Sequence, residues 1–298
     1  MKIVFIGCVQ SSYASLKRLL SLKNVEVIGV VTKSASPFNA DFQSLEPLAK
    51  SNNIPYYLSS GNDQDAIAEW IRPLQPDVAY CFGWSHLLNR KILSLPVLGV
   101  IGYHPAALPR NRGRHPIIWA LALGLSETAS TFFFMDEGAD SGDILDQRII
   151  SVNPEDDAAS LYQKLLNTAL DQIESFTPLL ASRKFTRIQQ DHSQANYWRK
   201  RSRSDGEIDW RMSSTVIHNL VRALSRPYPG AHCSYKEKEI KVWKTAVIAP
   251  SDPEINNLEP GKVLEAGNGS VIIKCGEGAI KLQEHGFQQL PEKGTYIL

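Results

Sequence analysis

Lys2-Ile-Val-Phe-Ile6 and Val25-Glu-Val-Ile-Gly-Val-Val-Thr32 bound the stretch whose reading decides the fold. Both are short apolar runs rich in β-branched residues, the pattern of strands buried on two faces. Between them Leu16, Leu19 and Leu20 make an apolar stripe at helical spacing. Strand, helix and strand in that order form a βαβ unit, whose strands lie parallel. The alternation continues downstream. Asp77–Phe82 and Val97–Tyr103 read as strands, with helical patterns at Gln43–Ser51, Asp63–Arg72 and Ser85–Leu93. Pro116–Leu123 reads as a short helix opened by proline. Ala129–Met135 and Ile144–Val152 are strand-like, and Asp156–Leu180 is a long helix capped by Asp156 or Asp157. The expected fold class is α/β, with an N-terminal, mostly parallel, doubly wound (Rossmann-like) sheet.

The character changes after Ser182. Residues 182–206 are polar and basic, including Trp198-Arg-Lys-Arg-Ser-Arg203, and read as a linker over the surface. A helix follows at Ser213–Leu224. Beyond Pro227-Tyr-Pro-Gly230 come short strands at Ala231–Tyr235, Glu239–Ala246, Gly261–Ala266, Val271–Cys275 and Ala279–Leu282, with turns such as Gly267-Asn-Gly269 between them. Close spacing of short strands suggests a small β-barrel-like module. The expected organisation is residues 1–190 as one domain and 191–298 as a C-terminal domain of linker, helix and small barrel, a surface that could serve a homodimer.

With 32 Lys+Arg against 31 Asp+Glu in 298 residues, the net charge is +1. No global field recruits nucleic acid or an anionic membrane, so a small ligand is expected and nucleic acid is not. Cys8, Cys81, Cys233 and Cys275 fall far apart, without zinc spacing. Buried free thiols and a reducing cytoplasm are the expectation. No apolar run approaches the roughly 18 residues of a membrane span.

The chemistry concentrates in Gly99-Val-Ile-Gly-Tyr-His-Pro-Ala-Ala-Leu-Pro109, Arg110-Asn-Arg-Gly-Arg-His-Pro116 and Met135-Asp-Glu-Gly-Ala-Asp-Ser-Gly-Asp143. His104 ends one strand and Asp140 follows another, so both are expected at one crevice beyond strand ends. An imidazole suits proton transfer near neutrality, and a carboxylate beside it orients it and stabilises its charged form. The acidic loop 136–143 lacks the spacing and terminal Glu of a calcium-binding EF-hand, so no metal is expected.

These motifs resemble those of the 10-formyltetrahydrofolate-dependent formyltransferases. Gly206-Glu-Ile-Asp-Trp210, Ile217–Arg222 and Pro227-Tyr-Pro-Gly-Ala231 are similar to the C-terminal part of methionyl-tRNA formyltransferase and of the sugar formyltransferases. His-Pro-x-x-Leu-Pro followed by Asn-Arg-Gly-Arg-His-Pro looks closest to the enzymes that formylate a nucleotide-linked amino sugar. The resemblance implies transfer of a formyl group from 10-formyltetrahydrofolate to a sugar amine, with His104 handling the proton and Asp140 assisting. No enzyme nucleophile is needed, and no Gly-x-Ser-x-Gly elbow is present.

The family also carries an Asn two residues before the His, where this chain has Gly102. Three readings stay open: a water or another donor such as Asn111 or His115 fills the gap, the enzyme is slow, or the chain only binds. By resemblance, the folate cosubstrate meets Phe82, Gly83 and Trp84 after one strand and Met135, Glu137 and Gly138 in the acidic loop. The nucleotide sugar lies over the first βα turn, at Gln10, Ser11, Ser12 and Tyr13, whose helix N-terminus favours anions. Arg110, Asn111 and Arg112 are candidates to reach a diphosphate. The basic run 198–203 either is solvated or approaches a ligand. A tRNA substrate is the competing reading; the segment Lys33-Ser-Ala-Ser-Pro-Phe-Asn-Ala-Asp-Phe-Gln43 carries only Lys33 as a positive charge, which favours a small substrate.

Overall fold

The computed structural model describes residues 1–36, 41–248 and 253–297. Residues 37–40 of the Lys33–Gln43 segment therefore lie outside the described residues. The chain divides into two compact units, Met1–Pro116 with Thr128–Ile150 and Gln163–Trp198, and Ile117–Glu127 with Ser151–Tyr162 and Arg199–Leu298.

The first unit opens with β1 (Lys2–Ile6), α1 (Gln10–Leu20) and β2 (Glu26–Thr32), then α2 (Glu46–Ser51), β3 (Tyr56–Leu58) and α3 (Gln64–Ile71). Next come β4 (Val78–Cys81), α4 (Arg90–Leu93), β5 (Val100–His104) and the short β6 (Arg112–Gly113). After α5 (Pro116–Ala122) follow β7 (Glu127–Phe134), β8 (Ile144–Ser151), α6 (Ala158–Ala181) and β9 (Tyr197–Trp198). The main sheet runs β3-β2-β1-β4-β5-β7-β8. Strands β1 to β5 are mutually parallel and β7 runs antiparallel to β5. Strand order reverses between β1 and β4, which opens a crevice beyond their carboxyl ends.

Alternation along the strands builds two cores. Ile3, Phe5, Tyr80 and Ile101 face Leu16 and Leu19 of α1 and Ile173, Phe176 and Leu180 of α6. Val4, Ile6, Val31, Ala79, Cys81 and Val100 face Ile67, Ala68 and Ile71 of α3. Successive residues thus serve opposite layers, so β1 and β4 read as unbroken apolar runs. Cys8, Cys81, Cys233 and Cys275 are all buried and form no disulfide among the described residues.

Two elements depart from expectation. Helical structure in 85–93 is confined to Arg90–Leu93, because the Asn89 side chain accepts the Ile92 N–H at 3.1 Å and starts the helix there. Residues 83–88 remain a loop. The supposed linker is also structured: β9 pairs in parallel with β6, in register Arg112↔Tyr197 and Gly113↔Trp198.

In the second unit α7 (Ser214–Ala223) is capped by Ser213, whose hydroxyl accepts the Val216 N–H. The strands β10 (Ala231–Tyr235), β11 (Lys238–Ile248), β12 (Val263–Gly267), β13 (Ser270–Lys274) and β14 (Ala279–His285) form an antiparallel sheet in the order β10-β11-β14-β13-β12. The barrel-like expectation resolves into this five-stranded sheet, with β10 and β12 at its two ends. Two of the four cations of the basic run are paired with carboxylates outside it. Arg199 pairs with Asp205, Arg203 pairs with Glu239, and Arg199 and Arg201 lie over the Trp119 ring. Arg199 and the Ser202 N–H hold the Asp205 carboxyl well below the usual range.

Candidate active site

His104 ends β5 and is nearly buried, its side chain only 6% exposed. Its Nε2 lies 2.7 Å from the carbonyl oxygen of Asn111. A carbonyl only accepts, so Nε2 carries the proton, and in the neutral ring Nδ1 holds the lone pair. Nδ1 sits 3.6 Å from Oδ2 of Asp140. Oδ2 also accepts the Gly113 N–H at 2.9 Å. A proton arriving on Nδ1 is therefore met by a carboxylate already fixed in place.

The route by which Asp140 reaches His104 differs from the sequence reading. Because β7 is antiparallel to β5, its end lies against the start of β5, with Phe134 opposite Ile101 and the Met135 N–H on the Val100 carbonyl. The segment 135–143 then doubles back along the β5 face that residues 102 and 104 share. Gly102 makes this possible: a Cβ there would come within 2.8 Å of Met135 Cγ and 2.9 Å of the Phe133 ring. The apolar side chains of Met135 and Phe133 fill the space beside residue 102 that the resemblance gives to an amide. Asn111 is engaged elsewhere, its N–H on Asn196 Oδ1 at 2.8 Å and its own Oδ1 accepting from Asn196 Nδ2 at 3.3 Å.

The loop after His104 is held by residues the sequence reading passed over as linker. Arg112 is 1% exposed and donates to Gln190 Oε1 at 2.6 and 3.2 Å and to the Tyr197 hydroxyl at 3.0 Å, with His192 Nδ1 3.2 Å away. Gln190 Nε2 in turn donates to the carbonyls of Asp140 and Gly142, at 3.0 and 2.6 Å. One buried amide thus ties the His104 loop to the Asp140 loop. At Gly113, φ of +106° and the Trp198 carbonyl 2.3 Å from a built Cβ leave room for no side chain. The placement corrects Arg112: it is itself buried and each of its three guanidinium nitrogens is engaged by Gln190, Tyr197 or His192, so it is not free to reach a diphosphate. Arg110 is exposed.

Phe82 and Ser12 are also corrected. The Phe82 ring is core, packed on Phe5, Tyr80 and Phe132, and its carbonyl accepts the Ser12 hydroxyl at 2.5 Å. Ser12 is fully buried in that contact. Gln10 is exposed and Ser11 and Tyr13 are half-buried, but the Gln10 N–H at the start of α1 is taken by the Asp41 carbonyl at 2.9 Å. Gly83 lies against the first βα turn, its carbonyl 3.5 Å from Cys8 Sγ. Trp84 Nε1 is buried and has no acceptor among the described residues. Met135 covers Gly102, while Glu137 and Gly138 are exposed, Glu137 lying 3.8 Å from Arg90 Nε.

Among the described residues, no group of three His, Cys, Asp or Glu could hold a metal ion, and no helix is long and apolar enough to cross a membrane. The second unit carries a separate cleft of about 340 Å³, lined by Asp156, Arg222, His218 and Glu284 among others. Within it Arg222 donates to the carbonyls of Asn153 and Asp156, and His218 Nδ1 lies 2.9 Å from Thr245 Oγ1.

This arrangement, a strand-end imidazole beside a loop carboxylate in a doubly wound sheet, is suited to general acid–base chemistry in an enzyme. The sequence profile of the formyl transferase family matches residues 1–173 and that of the formyl transferase C-terminal domain matches residues 200–292. The chain belongs to the formyl transferase family, and it is a formyl-transferring enzyme. It is 31% identical over 298 residues to a methionyl-tRNA formyltransferase of Geobacter sulfurreducens, covering 98% of this chain and 92% of that one. In fold it is similar to an N-formyltransferase of Helicobacter canadensis solved with folinic acid and dTDP-3-aminofucose, with TM-score 0.71, 19% identity, and coverage of 95% of this chain and 99% of that chain. It is likewise similar to WlaRD, a sugar 3N-formyl transferase solved with dTDP and 5-N-formyl-THF, with TM-score 0.70, 17% identity, and coverage of 97% and 99%.

Proposed function

We propose that the enzyme transfers a formyl group from 10-formyltetrahydrofolate to the amine of a nucleotide-linked amino sugar. The observation that carries the chemistry is the meeting of His104 Nδ1 with Asp140 Oδ2 at 3.6 Å. The free amine attacks the formyl carbon, the bond from that carbon to N10 of the folate breaks, and the proton lost by the amine passes through Nδ1 of His104 to N10. Asp140 stabilises the imidazolium formed on the way, while the Asn111 carbonyl keeps the ring from turning. With Gly102 in place of an amide, the developing oxyanion loses one side-chain donor, which costs on the order of 10² to 10³ in rate unless another donor serves.

The folate is assigned to the backbone of Gly83–Ser85 and of Met135–Asp140. Trp84 Nε1 fits a ligand there because it is a buried donor without an acceptor among the described residues. Support for a small amine comes from a net charge of +1 and from Lys33 as the only cation of residues 33–43. A second reading, formylation of methionyl-tRNA, is favoured by the 31% identity to the Geobacter enzyme. Competition decides between them. Purified enzyme with 10-formyltetrahydrofolate is offered dTDP-, UDP- and GDP-linked amino sugars and, separately, charged initiator tRNA. An N-formyl sugar nucleotide is the expected product; formyl-methionyl-tRNA without any formyl sugar would establish the second reading instead.

A further inference from the structure

We propose that Lys33, His86 and Arg114 form the receptor for the diphosphate of the nucleotide-linked sugar, an inference that rests on the nucleotide-sugar reading above. Lys33 directly follows β2 and His86 lies in the loop after β4, so both stand beyond carboxyl ends of parallel strands. Lys33 is 7% exposed, yet among the described residues its ammonium meets only His86 Nε2, at 3.2 Å, and the face of the Trp84 ring, 4.7 Å to the centroid. It forms no ion pair among the described residues. An ammonium only donates, so His86 Nε2 supplies a lone pair and the imidazole is neutral. Burial, Lys33 and Arg114 in that order push the His86 pKa down.

Arg114 completes the group. It donates to the Ser85 carbonyl at 3.0 Å through one nitrogen and is otherwise exposed, which leaves most of its planar fork uncommitted. It follows Gly113, whose N–H holds Asp140, so the cluster is joined by one peptide unit to the His104–Asp140 pair. Two cations, with no carboxylate paired to either among the described residues, match a multiply charged anion. Two alternatives within the unit are engaged: Arg112 by Gln190, Tyr197 and His192, and the first N–H of α1 by the Asp41 carbonyl. A diphosphate held at Lys33 and Arg114 would leave the attached sugar to extend toward His104.

The test is calorimetric titration of the full chain with UDP, dTDP and GDP, with the corresponding nucleosides, and with 5-formyltetrahydrofolate. Lys33→Met and Arg114→Gln are each expected to weaken the preferred nucleoside diphosphate about 10- to 100-fold, the scale of one lost charge-assisted bond. Nucleoside affinity is expected to change less than about twofold, folate affinity to fall by less than diphosphate affinity although Lys33 touches Trp84 and Arg114 touches Ser85 of the folate loop, and Lys33→Arg to restore diphosphate binding, since a general structural defect would spare none of the ligands. Unchanged diphosphate affinity in both variants would overturn the inference alone. Loss confined to the folate would reassign the cluster to the folate carboxylates and also overturn it. If the wild type binds no nucleoside diphosphate, the nucleotide-sugar reading fails and takes the inference with it.

Discussion

Two regions of the first unit bury a cation, and they differ in what surrounds it. Beyond β5, Arg112 is surrounded by Gln190, Tyr197 and His192, which answer its guanidinium with neutral hydrogen-bond partners. Beyond β2, Lys33 has His86 and an aromatic face. Neither forms an ion pair with a carboxylate among the described residues. Arg112 is scaffolding, because each of its three nitrogens already has a partner. A buried cation with donors to spare costs stability until an anion arrives, which is the mark of a receptor.

The largest expected effect lies at the pair that both regions frame. His104→Ala should lower turnover by about 10² to 10⁴ while nucleotide affinity stays within about threefold, because only proton handling is removed. Rates and dissociation constants on the same preparations check this. Next in size is Arg112→Met, expected to cost about 1 to 3 kcal/mol in urea unfolding by leaving the buried Gln190 Oε1 without its donor. Lys33→Met should leave stability unchanged or raise it by up to about 1 kcal/mol, since it removes an uncompensated buried charge. Equal destabilisation by the two variants would erase the distinction between scaffold and receptor.

Gly102→Asn separates crowding from chemistry. An amide there must displace Met135 and Phe133, so a loss of about 1 to 3 kcal/mol with no gain in turnover is expected, measured by thermal unfolding and steady-state rate. A faster, equally stable variant would mean that the site tolerates the amide.

The smallest effect is acid sensitivity. His86, His218, His232 and His285 all have pKa values lowered by burial. Each takes up protons more readily unfolded than folded, so its contribution is complete above the unfolded value near 6.5 and is lost as pH falls through the lower folded value. Stability should therefore fall below about pH 6.5, and His218→Gln should flatten that slope in unfolding curves taken between pH 7.5 and 5.

Much of the architecture was legible because periodicity is local. Unbroken apolar runs at Lys2–Ile6 and Val78–Cys81 mark strands buried on two faces, and Leu16 and Leu19 mark the helix between. The pairing of His104 with Asp140 was legible from motif order, though by a wrong geometric route. Strand direction is not written in a strand's own residues, so the antiparallel β7 and the doubling back of residues 135–143 over Gly102 could not be seen. Nor could the role of Gln190, Asn196 and Tyr197, which lie in polar sequence and act through partners some eighty residues away. The one local signal was Tyr197-Trp198, an aromatic pair inside a run otherwise polar and basic. Arg112 misled for the complementary reason: an arginine in a Gly-flanked loop looks solvated until its acceptors arrive from elsewhere.

The transfer chemistry stands on one protonation state, a bare Nδ1 facing Asp140. Nitrogen NMR of histidine-labelled enzyme at pH 8.5, with His104 assigned by its Gln variant, measures it directly. The account predicts a protonated Nε2 and an unprotonated Nδ1 for His104. A neutral His104 ring carrying its proton on Nδ1 would contradict it.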